Sequence, residues 1–283
     1  FPFKIPINVN KIDDAVRNFS IKYDSFFNGI RKGLGNLVNG IYFVLNFIPW
    51  FIFIILVFIA GWKTSGKAST GILYAAFLSL IGAVGFWNHM YETLSIVIAS
   101  VIISLALGFH LGILISTSDK ANAIVRPILD TMQTMPVFVY LIPAMVFFGL
   151  GKPPAVIATT VYAIVPMIRL TNHGIRQINK EVVEASLACG STKIQSLVKV
   201  QIPQALPTIM TGVNQTLMMA MSMVVTTSMI GASGLGMEVL IAVNRVEIGR
   251  GLVSGSAVVI IAIILDRITQ GLIHSSEVES DGE

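Results

Sequence analysis

Residues 41–62 form an almost unbroken apolar run, long enough to cross a bilayer as a helix. Six further apolar stretches follow, at 70–87, 94–116, 135–150, 155–168, 208–230 and 252–268. The fourth is short and broken by Pro136 and Pro143, and the fifth has Pro166 near its end. A backbone in lipid must satisfy its own hydrogen bonds, so runs of this kind predict helices rather than open strands. Composition agrees: 54% of the chain is hydrophobic, 12% is charged and the mean hydropathy is +0.78, whereas soluble domains are about 25% charged. A soluble globular protein, a disordered chain and a nucleic-acid binder are thereby excluded. The reading is an all-α polytopic membrane protein with about seven transmembrane helices.

Seven spans put the chain ends on opposite sides, and the basic residues orient them. One set of loops and span ends holds Lys63, Lys67, Lys120, Arg126, Arg169, Arg176, Lys180, Lys193, Lys199 and Arg267; the other holds only Lys152, Arg245 and Arg250. The richer set predicts the cytoplasmic side, which places the N-terminus outside and the C-terminus inside. Lys4, Lys11, Arg17, Lys22, Arg31 and Lys32 in the N-terminal segment pull against that placement. Residues 1–10 show no signal-peptide pattern. The single cysteine, Cys189, excludes an intrachain disulfide and a cysteine metal cage.

Ahead of the spans, Ile12, Val16, Phe19, Tyr23, Phe26, Ile30, Leu34 and Leu37 recur at spacings of three and four. That is one apolar stripe on a helix. It suits a helix lying flat on the membrane surface, or one packed on a partner protein. The chain thus divides into an amphipathic segment (1–40), two accessory spans (41–92), a core (93–270) that carries a hydrophilic insertion (169–207), and an acidic tail (271–283).

The insertion is too polar for lipid. Its centre reads Glu184-Ala185-Ser186-Leu187-Ala188-Cys189-Gly190, followed by Val200-Gln201-Ile202-Pro203. Small residues from Glu184 make a short helix that can sit deep in a groove of another protein. Gly190 allows a sharp turn, Ser191-Thr192 can cap a second helix, and Pro203 and Pro207 are expected to stop that helix and redirect the chain. The string resembles the EAA signature of ABC importer permeases (Glu-Ala-Ala, three residues, Gly, nine residues, Ile-x-Leu-Pro), with Ser186, Val200 and Ile202 as departures of similar size or polarity. Around it, Asp130-Thr131-Met132-Gln133-Thr134-Met135-Pro136, Asn214-Gln215-Thr216 and Ile230-Gly231-Ala232-Ser233-Gly234-Leu235-Gly236 resemble the permease subunit of glycine betaine/proline-type importers, over about residues 26–270.

The resemblance implies a five-helix type I importer core made of the third to seventh spans. It implies that Glu184, Ala185, Ser186, Gly190, Ile202 and Pro203 couple the permease to a cytoplasmic ATPase. It also implies two ATPase copies that bind ATP and Mg, a second permease copy as a homodimer, and an extracellular or periplasmic solute-binding protein. The bland alternative for the loop is an amphipathic segment capping its own bundle. No Gly-x4-Gly-Lys-Ser/Thr phosphate cradle is present, and Gly149-Leu150-Gly151-Lys152-Pro153 has the wrong spacing. No cofactor and no enzymatic chemistry are expected on this chain.

For the pathway, His110 sits mid-span between Gly108 and Gly112, where it either serves transport or packs against a neighbouring helix. Met218, Met221 and Met223 either line a polarizable pathway or pack. Asp266 and Arg267 are expected at a span end, explained by snorkelling or mutual pairing. No carboxylate is expected well inside a span, which disfavours an ion-coupled secondary carrier, the alternative function. A membrane scaffold that merely anchors a cytoplasmic protein is the third reading.

Overall fold

Prolines decide where the apolar runs turn into separate helices. In a computed structural model, which describes residues 9–280 and the side chains of 10–271, α1 (Val9–Lys22) and α2 (Asp24–Phe47) lead into α3 (Trp50–Ser65). Residues before a proline avoid helical ψ, and Ile48, preceding Pro49, is extended at ψ 117. The expected first span is therefore not straight: α2 and α3 meet at 94°. After α4 (Ala68–Ala83) and α5 (Trp87–Ser116), the same device recurs at Pro136. It separates α6 (Asp119–Thr134) from α7 (Phe138–Phe148) by 96°. At 1.5 Å per residue, α7 is only about 16 Å long, half a span.

The remaining elements are α8 (Lys152–Arg176), α9 (Lys180–Ala188), α10 (Lys193–Ser196), a π-helical turn (Leu197–Gln201), α11 (Ile202–Ser228), α12 (Leu235–Arg245) and α13 (Ile248–Ser280). The seven apolar segments thus become four helices long and apolar enough to cross a membrane, two bent pairs and the 16-residue α4. The side chains of the acidic tail, Glu277, Glu279, Asp281 and Glu283, lie outside the described residues.

The centre of the bundle is α8, packed on α5 and α11. Lipid gives no hydrophobic drive between helices, so close approach and hydrogen bonds must hold them. On α5 the small residues Ser100, Ser104, Gly108 and Gly112 recur every fourth position and face α8. Ser100 Oγ donates to the Val156 carbonyl at 3.4 Å and Ser104 Oγ to that of Thr160 at 3.3 Å. A Cβ on Gly108 would lie 2.8 Å from Met167 Cβ, and one on Gly112 would lie 2.6 Å from Thr171 Cβ. The tight packing expected at Gly108 and Gly112 is therefore the α5–α8 contact. On the other side of α8, Gly174 and Gly212 let α11 approach in the same way.

The N-terminal stripe is not one helix. It breaks at Tyr23, whose ψ of 22 ends α1. Phe27 stacks on Phe147 of α7 at 4.9 Å, with Phe19 edge-on to the same ring. Further along, Val38 is fully buried, and Leu34 and Ile41 join it against Ile96, Leu141 and Val156. The second half of α2 is thus part of the bundle, while Ile12, Phe19 and Phe26 remain exposed. The polar insertion is shorter than its sequence suggests: residues 169–176 finish α8 and 202–207 begin α11, leaving 177–201 between them.

Candidate functional site

The segment 177–201 folds as a knob at one end of the bundle. Asn179 opens α9, its side chain accepting from the Glu181 amide at 3.0 Å. Glu184, Ala185 and Ser186 lie on α9, which contains no buried residue. The helix closes in a Schellman arrangement: the Gly190 amide donates to Leu187 O at 3.0 Å and the Ser191 amide to Ser186 O at 3.2 Å. Gly190 has φ +88, a backbone state that side chains with a Cβ resist. Thr192 then caps α10 through a full capping box with Gln195, at 3.2 and 2.8 Å. The turn and the cap expected from the sequence are both present.

The prolines act differently from expectation. Pro203 and Pro207 do not stop the helix; residues 193–228 run on as one helical segment. The wide turn 197–201 accommodates them, with the Ile202 amide reaching back to Leu197 O. Pro203 has no amide to offer the Lys199 carbonyl, and a π turn relieves the clash its ring would make there. Ile202 packs with Ala205 and Ile209, and Pro203 is exposed. A serine chain ties the knob together. Gln201 Nε2 donates to Ser196 Oγ at 3.4 Å, the Ser186 and Ser196 hydroxyls are 2.7 Å apart, and Ser186 Oγ donates to Val183 O at 2.7 Å. The outer surface mixes apolar and charged groups: Leu187 is exposed, Ile194 is 75% exposed and Val198 is 54% exposed, beside the exposed Lys180, Glu181, Lys193 and Lys199. Glu184 is exposed on α9 and forms no ion pair among the described residues. Two short capped helices joined by a tight turn thus make a compact, exposed knob.

The pathway candidates separate. Met221 and Met223 are buried in two different apolar clusters, whereas Met218 is exposed on α11. His110 is exposed on α5, and its Nδ1 lies 2.7 Å from the Ala106 carbonyl, a bond within its own helix rather than to a neighbour. Asp266 does not pair with Arg267. Its Oδ1 accepts from Asn214 Nδ2 at 2.9 Å and Gln270 Nε2 at 2.8 Å, linking α13 to α11. Among the described residues no group of histidine, cysteine and carboxylate side chains is arranged to hold a metal ion.

At the end of the bundle away from the knob, an ionic cluster forms that sequence reasoning did not assemble. Glu92 Oε1 accepts from Lys152 Nζ at 3.2 Å and from Ser233 Oγ at 2.9 Å. Glu238 Oε2 accepts from Arg250 Nε and Nη2 at 2.9 and 2.7 Å. His89 lies between the two carboxylates, 3.8 Å from each. Nearby, Thr93 Oγ1 accepts from the Leu235 amide at 2.9 Å. These contacts bind α5, α8, α12 and α13 at one face. The only trace in the sequence is that Lys152, Arg245 and Arg250 fall in the same set of loops.

A family model described as binding-protein-dependent transport system inner membrane component matches residues 104–274. The chain is 46% identical over 265 residues to the glycine betaine/carnitine transport permease protein GbuB of Listeria monocytogenes serotype 1/2a (strain 10403S), covering 93% of each. It is 45% identical over 269 residues to the glycine betaine transport system permease protein OpuAB of Bacillus subtilis (strain 168), covering 95% of each. To the glycine betaine/proline betaine permease protein ProW of Escherichia coli (strain K12) it is 43% identical over 246 residues, covering 87% of this chain and 69% of that one. Among solved structures, a chain of the MetNI methionine ABC transporter in an inward-facing conformation superposes with a TM-score of 0.57 at 24% identity, covering 66% of this chain and 93% of that one. An amino acid ABC transporter does so at 0.56 and 18%, covering 72% and 98%. The likeness to the solved structures shows the fold alone, that of an ABC transporter permease. The ion-coupled carrier considered from the sequence gains no support from these matches.

Proposed function

Because this chain belongs to the family of binding-protein-dependent transport system inner membrane components, we propose that it is the permease subunit of an ATP-driven importer of compatible solutes. The solute class is glycine betaine and related quaternary ammonium zwitterions. The observation that carries this reading is the near full-length likeness to glycine betaine permeases.

In this reading a second copy of the chain completes the pathway, and an external solute-binding protein delivers the solute. Two cytoplasmic ATPase subunits, which bind ATP and Mg, drive alternation between outward and inward states. The knob docks into the ATPase, with Glu184, Ala185 and Ser186 on its leading helix. Gly190 sets its turn, and Ile202 and Pro203 pass its motion into α11. That orientation puts the knob and the C-terminus in the cytoplasm and the N-terminus outside, in keeping with the basic residues on the knob side. Of the pathway candidates, Met218 and His110 are those exposed to a second copy; Met221 and Met223 stiffen the wall behind them. The exposed start of the N-terminal stripe lies at the membrane surface.

The test is reconstitution of the chain with its ATPase and binding protein in vesicles, following labelled glycine betaine. ATP-dependent uptake is expected. Uptake by this chain alone, driven by an ion gradient without ATP, would overturn the reading.

A further inference from the structure

The ionic cluster at the end away from the knob consists of two networks that meet at one side chain. In the first, Glu92 of α5 accepts through Oε1 from Lys152 at the start of α8 and from Ser233 just ahead of α12. Lys152 Nζ also lies over the Tyr42 ring of α2, 5.3 Å from its centre. In the second, Glu238 of α12 accepts through Oε2 from Arg250 of α13. Arg250 also pairs with Glu247 at 3.4 Å, and Glu247 faces Arg245 at 3.9 Å. Each central carboxylate thus commits one oxygen to its cation. The other two oxygens turn toward His89: Glu92 Oε2 lies 3.8 Å from Nδ1 and Glu238 Oε1 lies 3.8 Å from Nε2. The Phe86 ring stands edge-on to the same imidazole at 6.0 Å.

A neutral imidazole has one N–H and one lone pair, so it can offer a proton to one of these carboxylates and must turn its lone pair toward the other. The charged ring presents a proton to both. Histidine is the side chain that ordinarily changes charge between about pH 5 and 8, and the His89 ring is open enough to solvent to exchange its proton there. The element on the far side of this contact is unevenly held. The first turn of α12 is wedged: Leu235 is fully buried, and a Cβ on Gly236 would lie 2.2 Å from the Val224 carbonyl. Beyond Glu238 the helix loosens. Residues 243–246 are exposed, and α12 ends at Val246 in the left-handed region, at φ +57, which a β-branched residue adopts at a cost. Glu238 sits at the boundary between the wedged turn and the loose end.

We propose that His89 is a proton-controlled clamp between α5 and α12. With the ring charged, the two networks join into one that runs through α8, α5, α12 and α13. With the ring neutral they separate, and Glu238 is held by Arg250 alone. The hold on α12 therefore tightens as pH falls and relaxes as pH rises, in the compartment that this end of the bundle faces. In the importer reading that compartment is the outside, and this is all that the proposal takes from that reading. The neutral bonds from Ser233 to Glu92 and from the Leu235 amide to Thr93 remain in both states, so the segment before α12 stays in place while the helix itself responds.

Hydrogen exchange in the assembled transporter, held in lipid nanodiscs at about pH 5.5 and about pH 8, tests it. Amides 237–246 are compared with amides 205–228 of α11 in the same sample, which cancels the intrinsic pH dependence of exchange. In wild type the relative protection of α12 should be about two- to fivefold greater at the acid pH, the scale of a partly exposed ion pair. His89→Gln, which cannot take up a proton, should show the alkaline value at both pH values. His89→Lys, which keeps a positive charge throughout, should show no pH dependence and a protection above that of His89→Gln. Equal relative protection at the two pH values in wild type would overturn the proposal, and so would a pH dependence that survives in His89→Gln. If His89→Gln does not assemble, wild type and His89→Lys decide by the same comparison. Exchange is read without transport, so a failure of solute uptake would count against the importer reading and leave this result standing.

Discussion

The hydroxyls of Ser186 and Ser196 lie 2.7 Å apart and join the two short helices of the knob. Ser196 is buried although α9 has no buried residue, so this bond is the point where α9 is fastened to the chain leading into α11. Serine stands at 186 where the EAA pattern carries alanine.

Ser186→Ala is therefore expected to keep docking and to loosen the knob. It leaves the buried Ser196 hydroxyl with only the longer contact from Gln201, a local cost of about 1 kcal/mol. Hydrogen exchange of amides in 183–201 should accelerate while the ATPase still co-purifies. Unchanged exchange would show that the serine chain holds nothing.

Glu184→Lys separates docking from folding. The side chain is exposed, and surface changes of this kind stay within about 0.5 kcal/mol. Thermal stability in detergent should be unaltered while co-purification of the ATPase is lost. An ATPase retained at wild-type levels would remove Glu184 from the docking surface.

Gly190→Ala tests the turn. Nothing lies within 4 Å of the added Cβ, so steric crowding is absent and only the φ of +88 resists the change. A left-handed residue with a Cβ costs about 1–2 kcal/mol. Gly190→Asn should cost less, because asparagine tolerates that conformation better. ATP-driven uptake should fall in the order glycine, asparagine, alanine.

Gly112→Ala addresses the α5–α8 contact. The new Cβ would lie 2.6 Å from Thr171 Cβ and 2.9 Å from the Ile168 carbonyl. Overpacking of this kind costs about 1–3 kcal/mol. Gly255→Ala, with nothing within 4 Å, is the control and should be neutral or stabilising by up to about 1 kcal/mol. Unfolding followed by thermal shift in detergent compares the two. Similar melting temperatures would mean that α5 and α8 are not held at this distance.

Glu238→Gln breaks the pair that joins α12 to α13. Glu238 is nearly buried and accepts two hydrogen bonds from Arg250. Hydrogen bonds to charged groups are stronger than neutral ones, but exposure of Arg250 weakens this pair. A lowered melting temperature in detergent is expected, with faster hydrogen exchange confined to α12. Glu238→Asp, which keeps the charge on a shorter arm, should lose less.

The knob was legible because everything that shapes it is local. Gly190 ends a helix it follows directly, Thr192 caps a helix it precedes, and Gln195 answers from three residues on. The prolines misled for the same reason: Pro203 forbids one hydrogen bond, but whether the chain stops or widens into a π turn depends on the packing of Ile202, Ala205 and Ile209 against neighbouring helices. Pro49 lay inside an apolar run whose length argued for one span, and the bend there became visible only with the helices on either side of it.

By itself the sequence determined that this chain lives in a membrane and that its helices are interrupted by one exposed polar segment whose turn and cap are set locally. Those properties follow from hydropathy summed along the chain and from caps that act within a single turn. The tertiary structure decided which charges meet. Glu92 finds Lys152 and Ser233, Arg176 finds Asp119, Arg169 finds Asp130 and Asp266 finds Asn214. It also decided that Met221 and Met223 are buried while Met218 remains exposed. Such pairings join residues far apart in sequence. The packing of α5, α6, α8, α11 and α13 brings the two groups of each pair together, and no local pattern records which groups those will be.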